Sequence, residues 1–155
     1  VYSLAMTLHE YFPQVKLWNI ELTASDISLE ILARAQSGLF KQLEVNRGLP
    51  ARFLLRFFQR QGLRWKIDWQ IKKMVQFRRI NLIEPWPYIG QQDVILMRNV
   101  LIYFDMDTRK SVLARVRKHL KPDGYLFLGA AETTLNIDKA FGQVRFGRTI
   151  CYRLK

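Results

Sequence analysis

The sequence is poor in cysteine and histidine and has no long hydrophobic run. The single cysteine, Cys151, excludes a disulfide within the chain and is typical of a reducing compartment. His9 and His119 have no cysteine or carboxylate cluster at metal-ligand spacing, so we expect surface histidines and no metal. The apolar runs reach about five residues, whereas a membrane-spanning helix needs roughly 18, and there is no basic-then-apolar signal at the N-terminus. We therefore expect a cytoplasmic protein without direct membrane insertion.

The sequence also lacks the glycine-rich loops that hold phosphate groups. Neither G-x-G-x-x-G nor G-x-x-x-x-G-K-[ST] occurs, and there is no nucleophile elbow. Cys151 lies in a predicted terminal strand with no histidine nearby in the sequence. These absences argue against a kinase and against a hydrolase.

Acidic residues are scarce: the sequence has 13 of them and 25 basic residues, so the net charge is +12. Most of this excess lies between Phe40 and Arg79, where the only acidic residues are Glu44 and Asp68. The basic residues of this segment are Lys41, Arg47, Arg52, Arg56, Arg60, Arg64, Lys66, Lys72, Lys73, Arg78 and Arg79. Such a surface attracts polyanions or acidic protein faces, although a simple solvated basic face is the alternative.

The first third of the chain has the alternating order of an α/β protein. The spacing of apolar residues predicts a helix over "YSLAMTLHEYF", which Pro13 ends. Alternation then predicts a strand over Val15–Asp26, and "DISLEILARAQSG" predicts a second helix.

A basic segment interrupts this order. "ARFLLRFFQRQG" predicts a short amphipathic helix that ends at Gly62, and the alternation of Trp65, Ile67 and Trp69 predicts short antiparallel strands. We interpret approximately residues 40–73 as a small inserted basic β-subdomain.

The rest of the chain returns to alternating strands and helices. "KMVQFRRINLI" predicts a strand, and "DVILM" predicts a parallel strand that is covered on both faces. A helix, the strand "YLFLGA" and a hairpin around Gly147 follow. The predicted fold class is α/β, with a mostly parallel sheet and an antiparallel hairpin at its C-terminal end.

Polar residues stand at the ends of the predicted strands, where ligands bind in open α/β sheets. Asp26 ends the first strand and suits the two hydroxyls of a ribose, although a helix N-cap is the equal alternative. Asn81 and Leu82 follow another strand, and an amide beside a leucine suits an adenine ring. Arg98 and Asn99 end the apolar run "DVILM", where an arginine is costly unless it is paired or solvated. A ribose and adenine site without a phosphate loop fits a nucleoside cofactor such as S-adenosylmethionine.

Four motifs carry a resemblance to a known family. Taken together, "QLEVNRGLP", "INLIE", "DVILMRNVLIYFD" and "LKPDGYLFLGAAET" resemble the CheR-type methyltransferases, which methylate glutamates of bacterial chemoreceptors. The likeness covers essentially the whole chain, and "RNVLIYFD" is its most specific element. It implies a class I S-adenosylmethionine-dependent methyltransferase fold, Rossmann-like, with residues 1–155 as a truncated catalytic domain that carries the inserted β-subdomain.

The resemblance also implies roles for individual residues. S-adenosylmethionine would be the methyl donor and S-adenosylhomocysteine the product. By position, Asp26 would bind the ribose, Asn81 and Leu82 the adenine end, and Arg98 and Asn99 would line the cofactor and substrate pocket. Tyr103 would face the transferred methyl group.

The chain departs from the family pattern at its start and near residue 130. It opens at "VYS" where the family has "EPYS", and the preceding glutamate, glycine-rich loop and first strand are absent. Because that strand is central in the family, we expect a gap in the sheet with unpaired edges. "GAAET" replaces a "GHSE"-like stretch, so one histidine role is lost or moved.

The function expected from these residues is methyl transfer to glutamate side chains of chemotaxis receptors. Arg98 would pair with the substrate carboxylate and Tyr103 would orient it, and the basic subdomain would bind the acidic, helical cytoplasmic region of the receptor. Two alternatives stay open: Arg98 ties down a loop while Tyr103 packs in the core, and the chain is a non-catalytic, basic protein-interaction module. Nucleic-acid binding is disfavoured, because the arginines form no RNA-binding signature and no "NPPY"-type tetrad is present.

Overall fold

A computed structural model describes residues 1–12, 14 and 17–155. The helix stop predicted at Pro13 and the strand start predicted at Val15 lie outside these residues. The chain forms two compact units, Val1–Ile80 and Asn81–Lys155, each with its own apolar core.

The first unit contains both helices and strands in alternation. In chain order these are α1 (Tyr2–Tyr11), β1 (Leu22–Asp26), α2 (Leu29–Ser37), β2 (Leu39–Lys41), α3 (Gln42–Val45), α4 (Ala51–Phe57), β3 (Phe58–Gln61), β4 (Arg64–Ile67), α5 (Trp69–Lys72) and β5 (Val75–Arg79). β1 and β5 pair in parallel, from Leu22 opposite Val75 to Asp26 opposite Arg79. The strand predicted from Val15 is therefore shorter than expected, and it begins only at Leu22.

A separate antiparallel sheet in this unit has the strand order β2-β4-β3. The alternation of the strands divides its side chains between two faces. Phe40, Phe58 and Ile67 pack into the apolar core of the first unit. The opposite face presents Lys41, Arg64 and Lys66, all exposed, and we call these three residues the basic face. The antiparallel strands predicted here are confirmed.

Two predicted element ends in this region are wrong. The helix expected to run to Gly62 ends at Phe57, and the next four residues form β3. Trp69 does not continue the alternation of β4, because it opens α5. Asp68 causes this change, since its carboxylate accepts a hydrogen bond from the Gln70 amide and caps the helix.

The second unit consists of one mixed sheet with a helix against it. Its elements are β6 (Gln92–Met97), a 3-10 turn (Leu101–Tyr103), α6 (Met106–His119), β7 (Leu120–Leu128), β8 (Phe141–Phe146) and β9 (Thr149–Leu154). The strand order is β6-β7-β9-β8; β6 and β7 are parallel, and β9 runs antiparallel to both β7 and β8. Gly147, with φ 56°, lies in the turn of the predicted C-terminal hairpin. Parallel pairs followed by an antiparallel hairpin confirm the predicted fold class.

The strand β6 is less covered than its apolar sequence predicts. Val94 is 45% exposed and Leu96 is 54% exposed, so one face of this strand is open in its unit. Among the described residues β6 pairs only with β7, and β1 pairs only with β5, so each strand has an edge without a hydrogen-bonded neighbour.

The two histidines are less exposed than expected, and the cysteine is buried. His9 packs edge-on against Phe57, and His119 stacks on Trp86, so both are half-buried and the prediction of surface histidines is wrong. Burial raises the pKa of the Cys151 thiol, which disfavours a thiolate nucleophile. Within the described ranges no group of three or more His, Cys, Asp or Glu is placed to hold a metal ion, and no helix is long and apolar enough to span a membrane.

The glycine that ends α2 allows a sharp test of the packing between α2 and β4. Gly38 has φ 70°, and a Cβ at this position would lie 2.8 Å from Cγ2 of the buried Ile67. Gly62 has a similar φ of 57°, but a Cβ there would meet nothing within 4 Å. Both Gly38→Ala and Gly62→Ala should lose about 1–2 kcal/mol of unfolding free energy to left-handed backbone strain. Gly38→Ala should lose about 1–3 kcal/mol more through overpacking.

Urea unfolding of the two variants measures this difference, and Gly62→Ala is the matched control for backbone strain. Equal losses in the two variants would contradict the close packing of Gly38 against Ile67.

Candidate functional site

Three of the predicted site residues lie on one loop of the second unit. β6 ends at Met97, and the chain continues through Arg98 and Asn99 into the 3-10 turn that contains Tyr103. We call residues 98–104 the site loop. Asn81 and Leu82 belong to the same unit, whereas Asp26 belongs to the first unit.

The site loop is a tight turn with an unusual backbone at its second residue. Asn99 has φ 57°, in the left-handed region that asparagine tolerates better than most residues. The amide of Tyr103 donates to the Val100 carbonyl at 3.2 Å, and the amide of Phe104 donates to the Leu101 carbonyl at 3.1 Å. These bonds close the turn and fix where its side chains leave the backbone.

Arg98 and Tyr103 do not have the structural roles that were the alternative interpretation. Tyr103 is 79% exposed, so it is not a core residue. In the part of the chain that the structure describes, the guanidinium of Arg98 makes no hydrogen bond or ion pair, and it is exposed. Both side chains are therefore available to a ligand.

A carboxylate from another segment holds the backbone of the site loop. Glu132 lies in the turn after β7, and its two oxygens accept from five backbone amides. Oε2 accepts from Gly129 at 2.6 Å and from Asn99 at 2.8 Å. Oε1 accepts from Val100 and Leu101, both at 2.7 Å, and from Ile102 at 3.4 Å. The carboxylate thus occupies a nest of successive backbone N–H groups.

The environment of Glu132 keeps it ionised. The side chain is 9% exposed, and this burial by itself would raise the pKa of the carboxyl. The amides of Gly129, Asn99, Val100 and Leu101 outweigh that effect, and the pKa lies below its ordinary value of 4.5. A charged acceptor therefore faces these donors at neutral pH.

A second side chain, Arg109, binds carbonyl groups of the site loop. The Nε of Arg109, on the first turns of α6, donates to the Leu101 carbonyl at 2.9 Å and to the Phe104 carbonyl at 2.8 Å. Asp105 caps the same helix by accepting from the Thr108 amide at 2.8 Å. The loop is therefore bound through its donors by Glu132 and through its acceptors by Arg109.

A cleft in the second unit places Arg98 beside these groups. It has a volume of about 650 Å³, and its walls include Arg98, Glu132, Leu96, Arg148 and Tyr152. Polar and apolar side chains both line it, and the carboxylate of Glu132 is already satisfied by backbone amides. The cationic groups of this cleft suit an anionic ligand on an apolar stem.

The other predicted cofactor residues lie at strand ends as expected. Asp26 is the last residue of β1, and its Oδ1 accepts from the Ser28 amide at 2.8 Å. Ser28, not Asp26, caps α2 by accepting from the Ile31 amide, so the N-cap alternative for Asp26 is wrong. Asn81 and Leu82 follow β5 after one residue. The Asn81 side chain accepts from the Ile83 amide, and Trp86 donates to the Leu82 carbonyl.

Sequence reasoning missed Glu132 and Arg109. The only sequence signal for Glu132 is a carboxylate placed just after the buried strand "YLFLGA", where a charge needs partners. Arg109 has no signal of its own, because an arginine on the first turns of a helix is common.

Comparison with known proteins places the chain in a family. The family described as "CheR methyltransferase, SAM binding domain" matches residues 1–150. The chain belongs to the CheR methyltransferase family. The predicted resemblance is thereby confirmed, and the α/β fold of the chain is that of a CheR S-adenosylmethionine-binding domain.

Relatives of the CheR chain span several bacteria. It is 36% identical over 159 residues to chemotaxis protein methyltransferase 1 of Pseudomonas aeruginosa, covering 99% of this chain and 58% of the relative. It is 38% identical over 157 residues to a chemotaxis protein methyltransferase of Vibrio anguillarum, covering 99% of this chain and 57% of the relative. The chain thus spans somewhat more than half the length of these relatives.

Among solved structures, the chain is similar to the glycopeptide N-methyltransferase MtfA complexed with S-adenosyl-L-homocysteine. The match has a TM-score of 0.46 and 17% identity, and it covers 94% of this chain and 48% of that chain.

The nest around Glu132 predicts a pH-dependent contribution to stability. Because the pKa of Glu132 is lower in the folded than in the unfolded state, its contribution is complete above the ordinary value of 4.5 and is lost as the pH falls through the folded pKa. Glu132→Gln should lower the unfolding free energy at pH 7 by about 2 kcal/mol or more, since hydrogen bonds to charged groups contribute roughly 1.5–3 kcal/mol each. The difference between the variant and the wild type should shrink below pH 4.5.

Urea unfolding at several pH values measures this difference. The values should run from about 3.5 to about 7, so that they lie on both sides of the ordinary pKa of a glutamate. Glu21→Gln is the control, because Glu21 is exposed and its side chain has no partner among the described residues. A difference between Glu132→Gln and wild type that does not change with pH would contradict the assignment.

Proposed function

We propose that the protein transfers a methyl group from S-adenosylmethionine to glutamate side chains of methyl-accepting chemotaxis receptors in the cytoplasm. The observation that carries this proposal is the site loop of a CheR family member. Its backbone is bound by Glu132 and Arg109, its Arg98 is exposed and pairs with no described residue, and its Tyr103 is exposed. The names of the bacterial relatives, all chemotaxis protein methyltransferases, support the same substrate class.

The residues present fit the cofactor. Asp26 has one carboxylate oxygen bound to the Ser28 amide, and no described residue hydrogen-bonds the other, which can accept from ribose hydroxyls. Asn81 and Leu82 would supply an amide and an apolar side chain for the adenine end, and Arg98 and Asn99 would line the pocket. Bound S-adenosylmethionine supplies an electrophilic methyl group on a sulfonium sulfur.

The work of the chain is to position the substrate carboxylate. A glutamate is already ionised near pH 7, so no general base is required to make it a nucleophile. It has to lose water and be aimed at the methyl carbon along the line of the breaking carbon–sulfur bond. A bidentate pair with Arg98 and a hydrogen bond from the hydroxyl of Tyr103 would orient it, and one of its oxygens forms the new ester bond.

The basic face of the first unit would bind the substrate protein. Approximately residues 40–73 form the proposed inserted subdomain, within a catalytic domain over residues 1–155. Lys41, Arg64 and Lys66 lie on the solvent side of its sheet, while the other side packs in the core. Three exposed cations on a rigid sheet suit an acidic helical surface, as proposed for the cytoplasmic region of the receptor.

Replacing Arg98 tests its catalytic role. Arg98→Ala should reduce methyl transfer by at least about 100-fold, because the substrate carboxylate loses its bidentate partner and its orientation. The unfolding free energy should stay within about 0.5 kcal/mol of wild type, since the exposed Arg98 side chain makes no hydrogen bond or ion pair with a described residue. Transfer of labelled methyl groups to receptor by the natural full-length protein measures the first effect, and urea unfolding measures the second.

Lys118→Ala is the control for Arg98→Ala. It removes the same charge from an exposed position on α6 whose side chain has no partner in the described part of the chain, and transfer should be unchanged. Near-full activity of Arg98→Ala would show that the assignment is wrong. Absence of heat on titrating the wild type with S-adenosylhomocysteine would instead favour a non-catalytic interaction module.

The basic face predicts salt-sensitive receptor binding. The double variant Arg64→Gln with Lys66→Gln should weaken binding roughly 2- to 30-fold at low salt, because each of the two exposed charge pairs contributes about 0.2–1 kcal/mol. The difference from wild type should fall as salt screens the charges. Binding to purified receptor at several salt concentrations, measured by surface plasmon resonance, tests both points.

The matched control is the double variant Lys118→Gln with Lys155→Gln, which removes two exposed charges from the second unit. If wild-type affinity did not depend on salt, or if both double variants weakened binding equally, the basic face would not be the docking surface.

A further inference from the structure

Both carboxylate oxygens of Glu132 accept hydrogen bonds from backbone amides. Four consecutive amides, from Asn99 to Ile102, and the amide of Gly129 point at one carboxylate. Four of the five distances lie between 2.6 and 2.8 Å, the short range of charge-assisted bonds. No other side chain in the described part of the chain accepts from the amides of the site loop.

The surrounding backbone is shaped for this carboxylate. The left-handed Asn99 turns the chain so that the following amides face the same point. Gly129 allows the close approach, since a Cβ at this position would lie 2.5 Å from Oδ1 of Asn99 and 2.6 Å from Oε2 of Glu132. A residue with a side chain at position 129 would therefore push the two segments apart.

We propose that Glu132 is a positioning residue of the active site, which fixes the direction in which the site loop presents Arg98 and Tyr103. This inference rests on the proposed methyl transfer. Glu132 acts through the backbone, because its two oxygens are already occupied by the amides that flank or precede these residues. Its carboxylate therefore does not contact the substrate.

Arg109 is not equivalent to Glu132. It binds the carbonyls of Leu101 and Phe104, at the end of the site loop that joins α6. Glu132 binds the beginning of the loop, at the residue next to Arg98. Loss of Glu132 should therefore free Asn99 to Ile102 while the end of the loop stays attached to α6.

The first experiment follows the loop without any need for activity. Hydrogen–deuterium exchange of the natural full-length protein should show the amides of Asn99 to Ile102 protected. Glu132→Gln should accelerate their exchange at least about tenfold, because an amide oxygen binds N–H groups more weakly than a carboxylate and the other side-chain position becomes a donor. Amides in the buried part of α6, from Val112 to Val116, should exchange as in wild type, which shows that the unit is still folded.

The second experiment asks whether Glu132 acts through the loop. Glu132→Gln should lower kcat for receptor methylation roughly 10- to 100-fold, the effect expected of a small misplacement of catalytic groups. The double variant of Glu132→Gln with Tyr103→Phe should be about as active as the less active of the two single variants, because both changes act on the same site loop. A merely structural role would make the two losses multiply. Glu21→Gln is the control and should keep wild-type kcat.

Gly129→Ala provides a second variant with no change of charge, and it should give the same local increase in exchange and the same non-additivity. Unchanged exchange at Asn99 to Ile102 in both variants, or multiplying losses of activity, would overturn the positioning role. Wild-type protein that transfers no methyl group to receptor would instead overturn the proposed function and with it the catalytic part of this inference.

Discussion

The hydrogen bonding of the site loop is the constraint on which the second unit depends. The loop that follows β6 has backbone groups that must find partners. Here Glu132 accepts hydrogen bonds from the amides at the beginning of the loop, and Arg109 donates hydrogen bonds to carbonyls further along it. A charged acceptor and a charged donor therefore replace the water that would otherwise bind this backbone. Among the residues that the structure describes, the side chains of Arg98 and Tyr103 have no hydrogen-bond or ion-pair partner, so they are available for the proposed substrate.

In the first unit, one face of a small sheet exposes charge and the other face packs on the apolar core. The strands β2, β3 and β4 are three or four residues long, so each contributes only one or two side chains to a face. Phe40, Phe58 and Ile67 anchor the inner face in the apolar cluster. Because alternation assigns every second residue to solvent, basic residues accumulate on the outer face without being buried. A rigid, positively charged surface follows from this division.

Sequence reasoning predicted most of the strands and the placement of polar residues at their ends, but not the contacts that organise the site loop. The helix over "DMDTRKSVLARVRKHL" and the antiparallel strands around Trp65 were predictable, since their apolar spacing is set by local geometry. The end of α4 at Phe57 was not, because Phe53, Phe57 and Phe58 satisfy either period. An uninterrupted apolar run such as "DVILM" also carries no information about which face is covered, so the exposure of Val94 and Leu96 was unexpected. Glu132 lies 30 or more positions from the amides of the site loop that it binds, beyond the reach of any periodicity.

The two kinds of glutamate in the proposed reaction need opposite environments. A carboxylate that accepts five backbone hydrogen bonds, as Glu132 does, has its lone pairs occupied and is a poor nucleophile. A substrate glutamate must keep at least one oxygen free of donors while the rest of the group is held in place. An arginine fork on one edge of the substrate, with a single hydroxyl beside it, can leave that oxygen bare. In the proposed reaction, the saturation of Glu132 would protect the enzyme's own carboxylate from methylation, whereas the few donors at Arg98 and Tyr103 would leave the substrate carboxylate reactive.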